Sequence, residues 1–371
     1  MRVIAFYLPQ FHEIPENNKW WGEGFTEWKN MKQSKPLYPG HYQPRVPLNN
    51  NYYSLDDINI LKWQSRLAKE YNVHGFCFYH YWFNGKLLLE KPVEKFLNDK
   101  SIDINFCLSW ANETWTRSWA SKKDEILIEQ NYGSKKEWEK HFYYLLPFFN
   151  DKRYIKNNNK PVFVIYRPEQ IEKINEMIDY WQELAKQNNL PGISFVYQQV
   201  DYYLSKDGNN PKFDYRIEYQ PSYAFTLINR KTLKTKIRKV VSKTLARFEK
   251  IFKTELRSRI KQDVKRYNYD DVWNFILKQR PDHKAIPCAF VDWDNTPRRS
   301  NRGTSIDGAS PDKFKYYYEL LYKKTMKYYE TDLLFVFAWN EWAEGGYLEP
   351  DSKYEYGYLK AIKDVHDKYE I

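Results

Sequence analysis

Along the chain, short apolar runs rich in β-branched and aromatic residues alternate with longer stretches of helical period. The runs are Val3–Leu8, Gly75–Trp82, Ile104–Trp110, Pro161–Arg167, Ile193–Gln199, Phe213–Tyr219, Ala285–Trp293 and Leu333–Trp339. They read as strands. Most are separated by segments whose apolar residues recur every three to four positions, at 56–71, 135–146, 169–189 and 311–329, and Ser54 stands where an N-cap of the first would fall. Strands alternating with helices predict a parallel sheet, and eight such units predict an α/β fold, a closed (β/α)8 TIM barrel filling residues 1–371 as a single domain. An open doubly wound sheet is the rival, but no run is followed by a GxGxxG turn. The sixth run, short and polar, is the weakest strand of the eight.

In a barrel of this kind the active site lies at the C-terminal ends of the strands. Those ends carry Tyr7, Gln10 and His12; Tyr79, His80 and Trp82; Trp110, Asn112, Glu113 and Trp115; Tyr166 and Arg167; Gln199; Glu218; Asp292 and Trp293; and Trp339, Asn340, Glu341 and Glu344. The strand starts are plainly apolar. The contrast predicts one broad site lined by hydrogen-bonding groups and aromatic faces.

The last end, AWNEWAEGGYLEPD, carries the chemistry. Glu341 and Glu344 lie three apart where an apolar strand stops, and two carboxyls converging on one pocket divide acid and base roles when their environments separate their pKa values. Glycoside cleavage needs such a pair. Gly345 and Gly346 would let the backbone turn sharply behind them. The segment SWANETWTRSW (109–119) interleaves Trp110, Trp115 and Trp119 with Asn112, Glu113 and Arg117, a pattern suited to a sugar-binding wall and also to an aromatic mini-core. Glu113 is a competing candidate for the acid. His80 reads equally as a core histidine and as a substrate contact, and the loop Trp20–Trp28 is a candidate for one side of the cleft. Arg298 and Arg299 either clamp a phosphate or uronate or pair with Asp292 and Asp294.

Charge enters the picture through its position. The formal net charge is +11, but residues 230–266 hold fifteen Lys/Arg against three acidic residues, +12 in all, which leaves about −1 for the rest. The body of the protein is nearly neutral and 19% aromatic, which suits sugars better than polyanions, and no nucleic acid is expected as a partner. In 230–266 apolar residues recur at helical spacing, predicting a basic amphipathic helical insertion. Its apolar stripe either packs on the barrel or a second subunit, or rests on an anionic membrane surface. Cys77, Cys107 and Cys288 sit in apolar runs as buried reduced thiols, and MRVIAFYLPQFH has no leader-like cleavage site. Both point to a cytoplasmic protein, peripheral at the inner membrane if the insertion binds lipid. No metal set, nucleotide fingerprint or serine elbow is present, so no cofactor is expected.

AFYLPQFHEIPENNKWWGEGFTEW, GFCFYHYWFNGK, LSWANETWTRSW, LIEQNY, WDNTPRR and AWNEWAEGGYLEPD together resemble the WbsX family of bacterial polysaccharide-cluster proteins. These are labelled glycosyltransferases and are related to glycoside hydrolase family 99, the endo-α-mannosidases and endo-α-mannanases. The resemblance covers most of the chain outside the insertion and itself implies a (β/α)8 barrel. Asn340-Glu341-Trp342-Ala343-Glu344-Gly345 matches the NEWxEG-type motif that carries both catalytic carboxyls in family 99. That resemblance implies that Glu341 deprotonates a sugar 2-hydroxyl, giving a 1,2-anhydro sugar, and that Glu344 protonates the leaving oxygen and then activates water. Ala343 departs from a position that is often His in family 99.

These readings converge on a retaining glycoside hydrolase or transglycosylase acting on an oligo- or polysaccharide of bacterial surface polysaccharide metabolism (O-antigen or capsule). The alternatives are a glycosyltransferase of the same polysaccharide, for which Asp292-Trp293-Asp294 has the DxD spelling, and a non-catalytic glycan-binding protein.

Overall fold

The computed structural model describes residues 1–117, 125–200, 210–231 and 263–369. Eight parallel strands form the barrel: β1 (Arg2–Tyr7), β2 (Gly75–Phe83), β3 (Asn105–Trp110), β4 (Lys160–Ile165), β5 (Ser194–Gln198), β6 (Tyr215–Ile217), β7 (Ala285–Ile286 and Cys288–Phe290) and β8 (Leu333–Phe337). Each pairs with its successor in sequence, and β8 returns to β1 with Arg2 opposite Leu333 and Ala5 opposite Val336. Pro287 has no N–H to give and divides β7. The half before it pairs with β6, with Arg216 opposite Ala285, and the half after it pairs with β8, with Cys288 opposite Phe335. Closure is therefore complete, and the (β/α)8 barrel stands over the open sheet. The sixth strand is indeed short, at three residues.

The helices are α1 (Pro15–Trp21), α2 (Glu27–Gln33), α3 (Ile58–Glu70), α4 (Lys91–Asn98), α5 (Lys135–Phe149), α6 (Ile174–Gln187), α7 (Ser222–Lys231), α8 (Tyr269–Lys278), α9 (Thr296–Arg299), α10 (Pro311–Tyr328) and α11 (Gly357–Tyr369). Amphipathic faces dock them on the strands, as in α3, which buries Leu61, Leu67 and Ala68. Asp57 caps α3, its carboxylate accepting from Asn59 N at 2.9 Å, so the cap lies three residues beyond Ser54. The three cysteines are free and buried. Among the described residues no helix is long and apolar enough to cross a membrane.

Most of the basic insertion, residues 232–262, and the tip of the Trp-rich loop with Trp119 lie outside the described residues. The insertion's far flank is not helical: Lys265–Asn268 is a short strand paired with Thr304–Asp307, because its backbone finds a partner edge there.

The barrel interior is aromatic. Phe6 lies 5.2–5.8 Å, centroid to centroid, from Tyr79, Tyr219 and Phe335, and Tyr79 and Tyr219 share a hydroxyl–hydroxyl bond of 2.8 Å. Two asparagines lock the strand ends above this floor. Asn112 accepts from Arg167 N at 2.7 Å and donates to Arg167 O at 2.8 Å, tying the end of β3 to that of β4. Asn340 makes the same double bond to the Leu8 backbone at 2.7 and 3.0 Å, tying β8 to β1. Asn112 is fully buried, so Asn112→Ala strands a buried N–H and C=O. A loss of about 1–3 kcal/mol is expected in urea unfolding, against near-neutrality if water replaced the amide.

Candidate active site

Adjacent residues of a strand point to opposite faces, and this parity decides which strand-end residues meet the mouth. Leu8 and Gln10, Tyr79 and Tyr81, Tyr166, Tyr219, Trp293, Glu341 and Glu344 line one cleft of about 470 Å³. Trp21, Phe25 and Glu27 from the loop after β1 form one side, with Glu113, Trp115 and Arg167 across from β3 and β4. Arg298 and Arg299 come from α9.

Arg298 is the hub. Its Nε donates to Glu27 Oε2 at 3.2 Å, one terminal nitrogen donates to Glu344 Oε1 at 2.7 Å, and the other lies 3.1 Å from Glu27 Oε2 and 3.5 Å from Glu341 Oε2. One guanidinium thus holds three carboxylates. Burial, then the charge of Glu344, pushes the Glu341 carboxyl up to about 8, with Arg298 pulling down and Glu27 adding to the rise. Glu341 is 5% exposed, and its Oε2 has no hydrogen-bond partner. The Glu344 side chain is more open, at 21%.

A short turn sets the pair apart. Trp342–Glu344 is a single 3-10 turn that ends at Gly345 in the left-handed region (φ +70). A Cβ on Gly345 would sit 2.9 Å from Asp294 N, and one on Gly346 would sit 2.3 Å from the Phe337 ring, so both positions need glycine. The turn is braced from behind. Asp294 N donates to Glu344 O at 2.7 Å, and Arg45 bonds Asp292 at 2.8 Å while reaching Gly345 O at 3.3 Å. Glu349, fully buried, accepts from Trp339 and Trp342 indoles, Gln64 and Tyr53 at 2.7–3.0 Å. Burial pushes its carboxyl up to about 7 against those four donors.

Several candidates lie outside the cleft lining, most of them by strand parity. Tyr7 turns outward to donate to Gln64 at 2.6 Å. His80 shares a 2.8 Å bond with His141, and burial pushes it down to about 3. Trp82 stacks on His141 at 4.5 Å, and Trp110 donates to Trp82 O. These rings form a buried pile with His141 behind the strands. Glu218 accepts from Tyr329 at 2.9 Å, its carboxyl raised by burial, and Gln199 accepts from Arg216 at 3.1 Å. His12 is buried with neither ring nitrogen partnered. Asn112, Asn340 and Trp339 are bound to backbone or to Glu349 as above. Arg117 sits at the rim, over Trp21 at 5.3 Å and 3.2 Å from Glu125.

The DxD spelling is spent internally. Asp292 holds Arg45; Asp294 takes His41 at 2.8 Å, Gln43 at 2.7 Å and Thr296 at 2.6 Å. Burial pushes both carboxyls up; Asp292 stays raised, while the His41 bond and the Arg45 charge hold Asp294 down near 2. Arg298 is instead found with Glu27, Glu341 and Glu344. Among the described residues no group of His, Cys, Asp and Glu could hold a metal ion. Glu113 pairs with Arg167 at 2.6 Å.

The family described as Glycosyltransferase WbsX matches residues 3–362. The chain belongs to the WbsX family. This WbsX protein is 31% identical over 367 residues to the uncharacterized protein WxcX of Xanthomonas campestris pv. campestris, in strains ATCC 33913 and B100. The match covers 98% of the chain and 49% of that relative, so the chain spans about half its length. Among solved structures, the GH99 endo-alpha-mannosidase from Bacteroides thetaiotaomicron is similar at a TM-score of 0.56 and 15% identity, over 100% of this chain and 97% of that one. A glycoside hydrolase-like protein is similar at 0.57 and 11%, over 98% and 93%. At these identities the likeness is one of fold.

The sequence singles out Arg298 and the loop Trp20–Trp28, but nothing local joins the two into one cluster. Glu27, within that loop, lies 271 positions from Arg298, so the pairing exists only in the folded chain. Glu27→Gln removes a negative charge that raises Glu341. The expected outcome in carboxyl-labelled ¹³C NMR is titration of Glu341 at lower pH than the native value near 8; an unchanged midpoint would remove Glu27 from the network.

Proposed function

We propose that this WbsX-family chain cleaves or transfers a glycosidic bond with Glu341 and Glu344 as its carboxyl pair. The observation that carries this reading is that both lie on one turn at the cleft, linked through Arg298, with unequal burial. Two carboxyls in unequal environments take unequal roles. Glu341, which holds its proton strongly, is a strong base once ionised, as removal of a proton from a sugar hydroxyl requires. Glu344, the more open of the two to the cleft, protonates the leaving oxygen.

In this scheme the sugar 2-oxygen, deprotonated by Glu341, attacks the anomeric carbon as Glu344 passes its proton to the departing oxygen. Glu344 then takes a proton from water, which attacks the anomeric carbon and opens the 1,2-anhydro ring while Glu341 returns its proton to the 2-oxygen, restoring the original anomeric configuration. This route departs from direct carboxylate attack but keeps the two-carboxyl division of labour. The aromatic lining, Trp21, Phe25, Trp115 and Trp293, supplies faces on which pyranose C–H groups stack.

The transferase reading rests on the family's description. It would need a nucleotide-diphosphate site, and Asp292 and Asp294 are already held by Arg45, His41, Gln43 and Thr296. The hydrolase or transglycosylase reading is therefore preferred. Its substrate is a glycan of bacterial surface polysaccharide metabolism.

Glycosyl fluorides separate the two carboxyl roles, since fluoride leaves without protonation. Across a panel of them, Glu344→Gln is expected to keep most of the first-step rate while losing roughly 10²–10⁴-fold on O-linked oligosaccharides. Glu341→Gln is expected to lose both. Equal losses on fluorides for the two variants would overturn the assignment.

A further inference from the structure

The charged groups lining the cleft pair off with one left over. Glu27, Glu341 and Glu344 gather on Arg298, and Glu113 pairs with Arg167, which also lies 3.6 Å from Glu169. Arg299 lines the same cleft, is exposed, and has no ion-pair or hydrogen-bond partner among the described residues. Here the carboxylates of the cleft are held by its neighbours.

Trp293, Asn295 and Ser222 line the same cleft as Arg299 and form the wall around it. Trp293 lines the cleft and is 91% buried, its indole nitrogen lying beneath the surface. Asn295 spends its carbonyl on Thr304 N at 2.8 Å, which leaves its NH₂ group as the remaining polar function. Ser222, the first residue of α7, also lines the cleft, while the next three amides of that helix are spent on Tyr219 O, Gln220 Oε1 and Pro221 O. Phe225 of α7 packs edge-on against Trp293 at 6.2 Å, which joins helix and wall. Ser300, immediately after Arg299, holds φ +47, a conformation uncommon without glycine.

An unpaired guanidinium and a spare amide NH₂ group lining one cleft ask for an acceptor-rich, negatively charged partner. We propose that this wall binds an anionic substituent of the glycan, a carboxylate or a phosphate ester, and that Arg299 is the group that reads it. The planar fork of arginine matches either oxyanion bidentately. The proposal rests on the cleft being a glycan site, as argued above, and it names what that glycan carries: an acidic sugar in the subsite against Trp293 and Arg299. Arg298 has no such freedom, since removing it would release three carboxylates from their shared cation.

Saturation-transfer NMR and competition titration with glucose, glucuronate and glucose 6-phosphate test this on the intact chain. Glucuronate and glucose 6-phosphate arms distinguish carboxylate from phosphate. At least one acidic sugar is expected to bind about tenfold tighter than glucose, and Arg299→Gln is expected to abolish that preference while glucose binding stays. The Arg299 side chain is exposed and unpaired, so an unchanged thermal midpoint verifies that the variant is folded. Equal affinity for all three sugars, or a preference that survives Arg299→Gln, would overturn the anionic subsite while leaving the glycan cleft standing. Binding of none of the three would count against both.

Discussion

One guanidinium among three carboxylates is the constraint on which the rest of the cleft depends. Without Arg298, Glu27, Glu341 and Glu344 would face one another inside a largely buried mouth, and like charges at such range cannot all ionise. With it, the three carboxyl groups share one cation, Glu341 buried and raised to about 8 and Glu344 open to the cleft. The barrel's contribution is to deliver these four groups from three places. Glu27 comes from the loop after β1, Arg298 from the turn after β7, and the glutamate pair from the turn after β8. Each delivery is braced: Asn340 clamps β8 to β1, and Asp292 and Asp294 hold Arg45, His41 and the carbonyl of Glu344 behind the turn.

The buried polar network behind the turn explains its rigidity. Glu349 gathers two indoles, an amide and a phenol, and satisfied networks of this kind fix a single arrangement at the cost of exacting geometry. Tyr7 joins through Gln64. Residues that look like ligand contacts in a linear reading thus serve as the scaffold that aims Glu341.

Much of the fold was legible because parallel barrel strands are continuous apolar runs, and eight such runs with helices between them admit few topologies. The carboxyl pair was legible because it occupies one short motif. What a single sequence does not show is strand parity. At Tyr79-His80-Tyr81-Trp82 every residue is aromatic, and only the register of β2 against β1 and β3 turns Tyr79 and Tyr81 inward and His80 and Trp82 out. The same holds for Glu218 beside Tyr219. Asn112 and Asn340 were visible as polar residues at strand ends, but their work is on neighbouring backbone, a contact that exists only after closure. Glu27 meets Arg298 only in the folded chain. The spelling DWD was misleading for a simple reason: a short acidic motif says nothing about which cations the fold will bring to it.

The central claim is that the Arg298-linked carboxyl pair breaks a glycosidic bond with water or a sugar hydroxyl as acceptor, without an activated sugar donor. It is tested most directly by incubating the chain with a pool of bacterial surface oligosaccharides in H₂¹⁸O and following products by mass spectrometry, with and without sugar nucleotides. The account predicts shorter glycans, carrying one ¹⁸O at each new reducing end where water is the acceptor, formed without any nucleotide and absent with Glu341→Gln. Products that grow longer, and only when a sugar nucleotide is supplied, would contradict it.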